Sequence, residues 1–286
     1  MKSGRFAPSP TGDLHFGSLL AAMASYCEAR SKGALWHLRI DDIDQPRSMP
    51  GAAQSIQNSL VRYGLHWDGE VHWQSERDSR YKEALSTLID LGLVFSCGCS
   101  RRNLPPGKIY PGTCRANRVR SPDEPIIDRA LRIVLPENIE FVDGIQGKQS
   151  ISLSDEIGDV VIWRRDKLVS YTLACAVDDA VDCTEVVRGA DLLPSTAAQL
   201  AVMNYLSMNK PDYAHIPVAV DSNNDKLSKH SKAEPIDSMD PLQSLRRAWR
   251  FLGQADFTAN NVNEFWSAAI MRWQLQRVPV ALRMAE

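Results

Sequence analysis

Apolar positions fall in two rhythms along the chain. Leu20, Met23, Ala24 and Cys27 recur at i, i+3, i+4 and i+7, which predicts a helix with one buried face. Ahead of it, Gly4 to Ala7 is short and mostly apolar and reads as a buried strand. Pro8, Pro10 and Gly12 then mark a loop between the two. Ala34 to Ile40 is a second strand. Gly51 to Tyr63 and Ser79 to Leu91 read as helices, the latter with Tyr81, Leu85, Leu88 and Ile89 on one face. Three short strand-like runs follow, at Ala130 to Leu135, Ile139 to Val142 and Val160 to Trp163. Thr184 to Val187 and Ile216 to Val220 are buried strands, with a helix near Ser195 to Leu206 between them. Leu245, Trp249 and Leu252, then Trp266, Ile270 and Trp273, close the chain at helical spacing. Strands alternating with helices predict an α/β fold built on a doubly wound parallel sheet. In such sheets ligands bind beyond the carboxyl ends of the strands. The expected division is a main domain of residues 1–92 and 171–235, an insertion at 93–170 and a small helical appendage at 236–286.

Composition narrows this picture only slightly. With 286 residues, 44% hydrophobic and 24% charged, the chain can bury a full core as a soluble globular protein. No apolar run approaches the roughly 18 residues that would span a bilayer. Met1 to Arg5 leads straight into the first loop motif and leaves no signal peptide, so a cytoplasmic location and no membrane association are expected. The net charge of −2 opposes a polyanionic partner, but its distribution does not. Between Cys97 and Arg120 stand Arg101, Arg102, Lys108, Arg115, Arg118 and Arg120 with no acidic residue. From Pro241 onward, six arginines face Asp256, Glu264 and Glu286. Locally basic faces of this kind suit phosphate contacts. Ordinary solvated charge would give the same composition.

Two loops carry the candidate chemistry. His15-Phe16-Gly17-Ser18 falls at the mouth of the first helix. A helix N-terminus offers unpaired N–H groups and the positive end of a dipole, a setting suited to phosphate. Gly17 lets a flat base or a ribose approach the backbone, and His15 can donate to a phosphate oxygen. Far along the chain, Lys226-Leu227-Ser228-Lys229-His230 follows a polar run, and its two lysines can neutralise charge that shifts on a triphosphate. Each loop alone also reads as ordinary, one as a strand-to-helix turn and the other as a solvated basic loop. Together they describe a site that holds ATP from two sides.

In this order and spacing the two loops resemble the His-Ile-Gly-His and Lys-Met-Ser-Lys-Ser signatures of class I aminoacyl-tRNA synthetases. The run Arg5 to Gly12 (Arg-Phe-Ala-Pro-Ser-Pro-Thr-Gly) and Arg39-Ile40-Asp41-Asp42-Ile43-Asp44 resemble the glutamyl branch, as does Val187-Arg188-Gly189-Ala190-Asp191-Leu192-Leu193. Only 56 residues follow His230, too few for the anticodon-binding region of glutamyl-tRNA synthetases. The resemblance is therefore to the short glutamyl-Q tRNA(Asp) synthetase family. It implies a Rossmann-like ATP-dependent ligase that forms glutamyl-adenylate without tRNA. The glutamate is then transferred to the queuosine base in the anticodon of tRNA(Asp).

Residue by residue, the resemblance implies His15, Lys226 and Lys229 as catalytic, with His15, Gly17, Ser18 and Lys229 on ATP. It implies Arg5, Phe6, Ala7, Pro8, Ser9, Asp41, Tyr171 and Arg188 on L-glutamate. Arginine suits carboxylates because its fork binds them bidentately, and Asp41 suits the ammonium. Mg²⁺ is expected with the nucleotide, and no obligatory protein partner is inferred. Three positions depart from the family pattern: Ser18 replaces the second histidine, His230 replaces the final serine, and Asp41 stands where Glu is usual. Rival expectations are a truncated enzyme charging a tRNA 3′ end, a nucleotidyltransferase-type ligase acting on a small molecule, and a catalytically silent RNA- or protein-binding paralogue.

Six cysteines fall into two groups. Cys27, Cys175 and Cys183 lie in apolar surroundings and read as small buried hydrophobes. Cys97, Cys99 and Cys114 read as a zinc knuckle across a Pro/Gly-rich loop, one ligand short of a tetrahedron. The fourth position is open to water or to no metal at all; the resemblance implies Tyr110. Such a zinc would be structural, pinning a loop that cannot order itself.

Overall fold

The computed structural model describes residues 2–99, 109–122, 124, 127–220 and 234–285. The chain opens with β1 (Ser3–Phe6), α1 (Phe16–Ser31), β2 (Leu35–Ile40), α2 (Ala52–Arg62), β3 (His72–Trp73) and α3 (Asp78–Asp90). It continues through β4 (Val94–Cys97), β5 (Ala130–Ile133), β6 (Asn138–Asp143), β7 (Gly147–Ser152), the short α4 (Leu153–Glu156) and β8 (Val161–Trp163). Then come α5 (Tyr171–Asp182), β9 (Glu185–Gly189), α6 (Leu193–Tyr205), β10 (Asp212–Ile216), β11 (Val218–Val220), α7 (Pro241–Phe251), α8 (Val262–Arg272) and β12 (Arg283–Ala285).

The expected parallel α/β architecture is present. β1, β2 and β3 form one parallel sheet. β9, β10 and β6 form a second parallel set, with β7 added antiparallel at its edge. The two sheets meet edge to edge, where Thr184 N–H donates to Ser3 O at 2.9 Å and Ser3 N–H donates to Thr184 Oγ1 at 2.9 Å. This seam between β1 and β9 is where the winding reverses, so a crevice opens at its carboxyl end. Residues 93–170 divide. β4, β5 and β8 make their own antiparallel sheet, whereas the β6–β7 hairpin joins the parallel one.

α1 runs behind the seam and is buried on nearly every side, not on one stripe alone. α7 and α8 lie against it and share its core through Trp249, Trp266 and Trp273. The C-terminal segment is therefore continuous with the main core, and it ends in a strand: β12 pairs in parallel with β11. The single strand expected from Ile216 to Val220 is two, β10 ending at Ile216 and β11 starting at Val218. Pro217 stands between them and cannot donate to a ladder.

Candidate active site

The crevice is a cleft of about 560 Å³. Its lining includes Arg5, Phe6, Ala7, Pro8, Ser9, His15, Gly17, Ser18, Asp41, Tyr171 and Arg188, so every glutamate and ATP candidate among the described residues converges there. Lys226, Lys229 and His230 lie outside the described residues. The chain on either side of them does reach the cleft: Val218 and Ala219 line it, and Pro235 bridges to His15.

Local structure explains the convergence. The loop after β1 is pinned by Asp41 N–H to Pro8 O at 3.0 Å and by Met49 N–H to Pro10 O at 2.8 Å. Gly12, at φ 133°, takes a backbone that side chains disfavour and turns the chain toward α1. His15 is extended just before α1, and Gly17 and Ser18 occupy its first turn. The dipole end and amide groups of α1 therefore face the cleft, as phosphate binding requires.

Charge is arranged unevenly across the site. Arg5 is gripped by Asp179, Nε to Oδ1 at 3.2 Å and Nη2 to Oδ2 at 3.0 Å. Arg39 donates through Nε to Asp41 Oδ1 at 2.7 Å and through Nη1 to Asp179 Oδ1 at 2.7 Å. Burial raises the Asp179 carboxyl, but Arg5 and Arg39 outweigh it and hold the group well below the usual carboxylate range. Asp41 goes the other way: burial lifts it above that range despite Arg39. The Sγ of Cys175 lies 3.6 Å from Asp41 Oδ2, so this buried cysteine borders the site.

Arg188 differs from the other two arginines. It is 4% exposed, and its partners are neutral. Nε donates to His215 Nε2 at 3.2 Å, Nη1 to Tyr171 Oη at 3.4 Å, and Nη2 to Thr196 Oγ1 at 2.6 Å and Gln199 Oε1 at 2.7 Å. Among the described residues no carboxylate comes within ion-pair distance of it. Its hydrogen-bond acceptors are all neutral, with the buried carboxylate of Asp179 acting on it only through space, and it lines the cleft. An anionic group entering there would complete it.

The cysteine cluster also assembles. Cys97, Cys99 and Cys114 place their sulfurs within 4.8 Å of one another, with Cys99 to Cys114 at 3.7 Å. Tyr110 Oη lies 3.6 Å from Cys97 Sγ and accepts from Cys114 N–H at 2.8 Å. A tetrahedral zinc with Zn–S near 2.3 Å needs sulfurs about 3.8 Å apart, so the donors fit that ion. Hydrogen bonding from Tyr110 works against burial and brings the Cys97 thiol down to about 7. Gly158 lets Tyr110 in: a Cβ there would lie 2.7 Å from Tyr110 N.

Sequence reasoning passed over α5 and the acids on it. Asp178 and Asp179 read as polar positions among alanines and valines, yet both are fully buried. It also passed over Asp143 and His215; a histidine inside the apolar run Tyr213-Ala214-His215-Ile216 was the available signal.

Comparison with known proteins now places the chain. The family described as "tRNA synthetases class I (E and Q), catalytic domain" matches residues 3–277. A glutamyl-Q tRNA(Asp) synthetase of Aromatoleum aromaticum is 42% identical, covering 98% of this chain and 91% of its own. One from Xanthomonas campestris is 47% identical over 88% of this chain and 84% of its own. The chain belongs to the class I tRNA synthetases, in their glutamyl-Q tRNA(Asp) synthetase branch. Membership makes it an ATP-dependent ligase. Among solved structures, a glutamate tRNA ligase of Elizabethkingia meningosepticum in complex with its amino acid superposes with a TM-score of 0.80 at 22% identity. It covers 98% of this chain but only 66% of its own length, and it supports the fold alone. Among the described residues, no helix is long and apolar enough to cross a membrane.

Proposed function

We propose that this synthetase-family protein activates L-glutamate with ATP in the absence of tRNA, and then transfers the glutamyl group to the queuosine base of tRNA(Asp). The observation that carries the first step is Arg188, a buried cation with neutral partners in the cleft that gathers the ATP and glutamate candidates. In this reading Arg188 receives one carboxylate of glutamate and Asp41 its ammonium. Tyr171 and Ser9 supply hydrogen bonds, and the backbone from Phe6 to Pro8 walls the pocket.

An oxygen of the α-carboxylate attacks the α-phosphorus of ATP. The bond to the β-phosphate oxygen breaks, and pyrophosphate leaves with its electron pair. His15 and the α1 amides stabilise the charge that develops, joined by Lys226 and Lys229. No side chain forms a covalent bond, so catalysis is positioning plus electrostatics. Mg²⁺ bound with ATP would neutralise phosphate charge. A hydroxyl of the queuosine cyclopentene ring then attacks the adenylate carbonyl, and AMP leaves. The relatives' names support this acceptor.

Cys97, Cys99, Cys114 and Tyr110 hold one structural Zn²⁺ in this reading. None of the six cysteines forms a disulfide, as a reducing cytoplasm would favour.

The test is ATP–pyrophosphate exchange with glutamate and no tRNA, against aspartate and glutamine. Exchange with glutamate alone is expected. Exchange only after tRNA is added would point instead to an enzyme charging a tRNA 3′ end, and none in either condition would sink the activation reading.

A further inference from the structure

Behind Arg188 lies a chain of buried polar groups that the reaction as written does not use. Asp143 ends β6, and its Oδ1 accepts three backbone N–H groups: Ile145 at 3.0 Å, Gln146 at 2.9 Å and His215 at 3.1 Å. Its Oδ2 is 2.6 Å from His215 Nδ1. Both side chains are fully buried. Burial pushes the His215 imidazole below its ordinary value, although Asp143 works against this, so the ring is neutral at neutral pH. An ionised Asp143 can only accept, so the ring proton sits on Nδ1. That leaves Nε2 as an acceptor, 3.2 Å from Arg188 Nε and 2.8 Å from Thr196 Oγ1.

We propose that Asp143 and His215 are positioning residues for Arg188: Asp143 fixes the His215 tautomer so that Nε2 accepts from the guanidinium and holds its orientation without neutralising it. A carboxylate in direct contact with Arg188 would hold it too, but would take the charge meant for the substrate. The histidine between them transmits orientation and keeps the anion one residue away. This inference rests on the reading that Arg188 binds a glutamate carboxylate.

Asp143→Asn tests it with little change of shape. The three backbone N–H groups will keep the amide oxygen at the Oδ1 position, which turns the amide NH₂ toward His215 Nδ1. The ring must then carry its proton on Nε2, donor against donor at Arg188. The KM for glutamate in pyrophosphate exchange should rise about 10- to 100-fold, the scale of one lost hydrogen bond to a charged group. The KM for ATP should stay unchanged, and in an Arg188→Lys background the same substitution should add less than about threefold. An unchanged glutamate KM, or an equal effect in both backgrounds, overturns the proposal. A second readout uses the parent protein: ¹⁵N spectra of labelled histidine should show His215 as the Nδ1–H tautomer, and an Nε2–H tautomer refutes the mechanism. Absence of glutamate exchange in the parent would instead fault the activation reading and leave the tautomer result standing.

Discussion

Asp41 is the residue proposed to meet the substrate ammonium. The glutamyl pattern places Glu there; the shorter side chain is held by Arg39 at 2.7 Å and bordered by the Cys175 thiol. Burial raises its carboxyl above the ordinary range. Only the ionised form can pair with the substrate ammonium. As pH falls through that raised value the carboxyl takes up a proton, and the pairing is lost. Glutamate KM should therefore climb on the acid side of neutrality, starting at higher pH than an ordinary aspartate would give, with the ATP KM flat. Asp41→Asn should raise glutamate KM at every pH and remove this acid limb. A pH profile of pyrophosphate exchange in which parent and variant keep the same acid limb would refute the role.

Among the elements, α5 invites comparison with α1, because the middle turns of both are buried on every side. α1 was legible anyway, since a loop motif announces its start and four apolar residues share one face. α5 was not, although Leu173, Ala176, Val177 and Ala180 recur at i, i+3, i+4 and i+7: Asp178 and Asp179 interrupt the apolar run, and their burial depends on arginines from β1 and β2. The same limit hid His215 and Asp143, whose partners are distant in sequence. Loop motifs are local and could be read; salt-bridge networks are assembled by the fold. Asp179→Asn tests what that network contributes. It would take from buried Arg5 the carboxylate that accepts both of its side-chain hydrogen bonds, and from Arg39 one of its carboxylate partners, costing about 3–5 kcal/mol. The contribution is complete at neutral pH, because the carboxyl is held below its unfolded value near 3.9 and loses it only as pH falls through the folded one. Thermal melts at pH 7 should show a drop of roughly 10 °C; a shift within error would mean the arginines find other partners. The cysteine cluster is a second element-scale device. Purified protein should carry about one zinc per chain, and Cys114→Ser should abolish it while exchange activity falls only with the folded fraction. Metal analysis that finds the zinc retained would remove Cys114 as a ligand.

For the whole molecule, the question is how a chain of net charge −2 engages RNA. The basic stretches seen in the sequence prove to be partly spent within the fold. Arg115 is bound by Asp159, Arg250 by Asp256, Arg118 by Gly92 O and Arg246 by Ala259 O, while Arg247 lies over the ring of Phe16. Composition counts charges but not their intramolecular partners: Arg115 and Arg250 are neutralised by carboxylates, whereas Arg118, Arg246 and Arg247 keep their charge, and Arg101, Arg102 and Lys108 lie outside the described residues. Few phosphate contacts mean few released counterions, and the log–log salt slope for RNA scales at roughly 0.7–0.9 per contact. Glutamyl transfer to tRNA(Asp) should therefore weaken with salt through the KM for tRNA, but with a shallow slope, while tRNA-free exchange hardly changes. The comparison is one titration between about 50 and 200 mM salt with both assays on the same protein. A steep loss, of the thousandfold order seen when six or more phosphates are bound, would mean that arginines engaged inside the fold are released to the RNA when it docks.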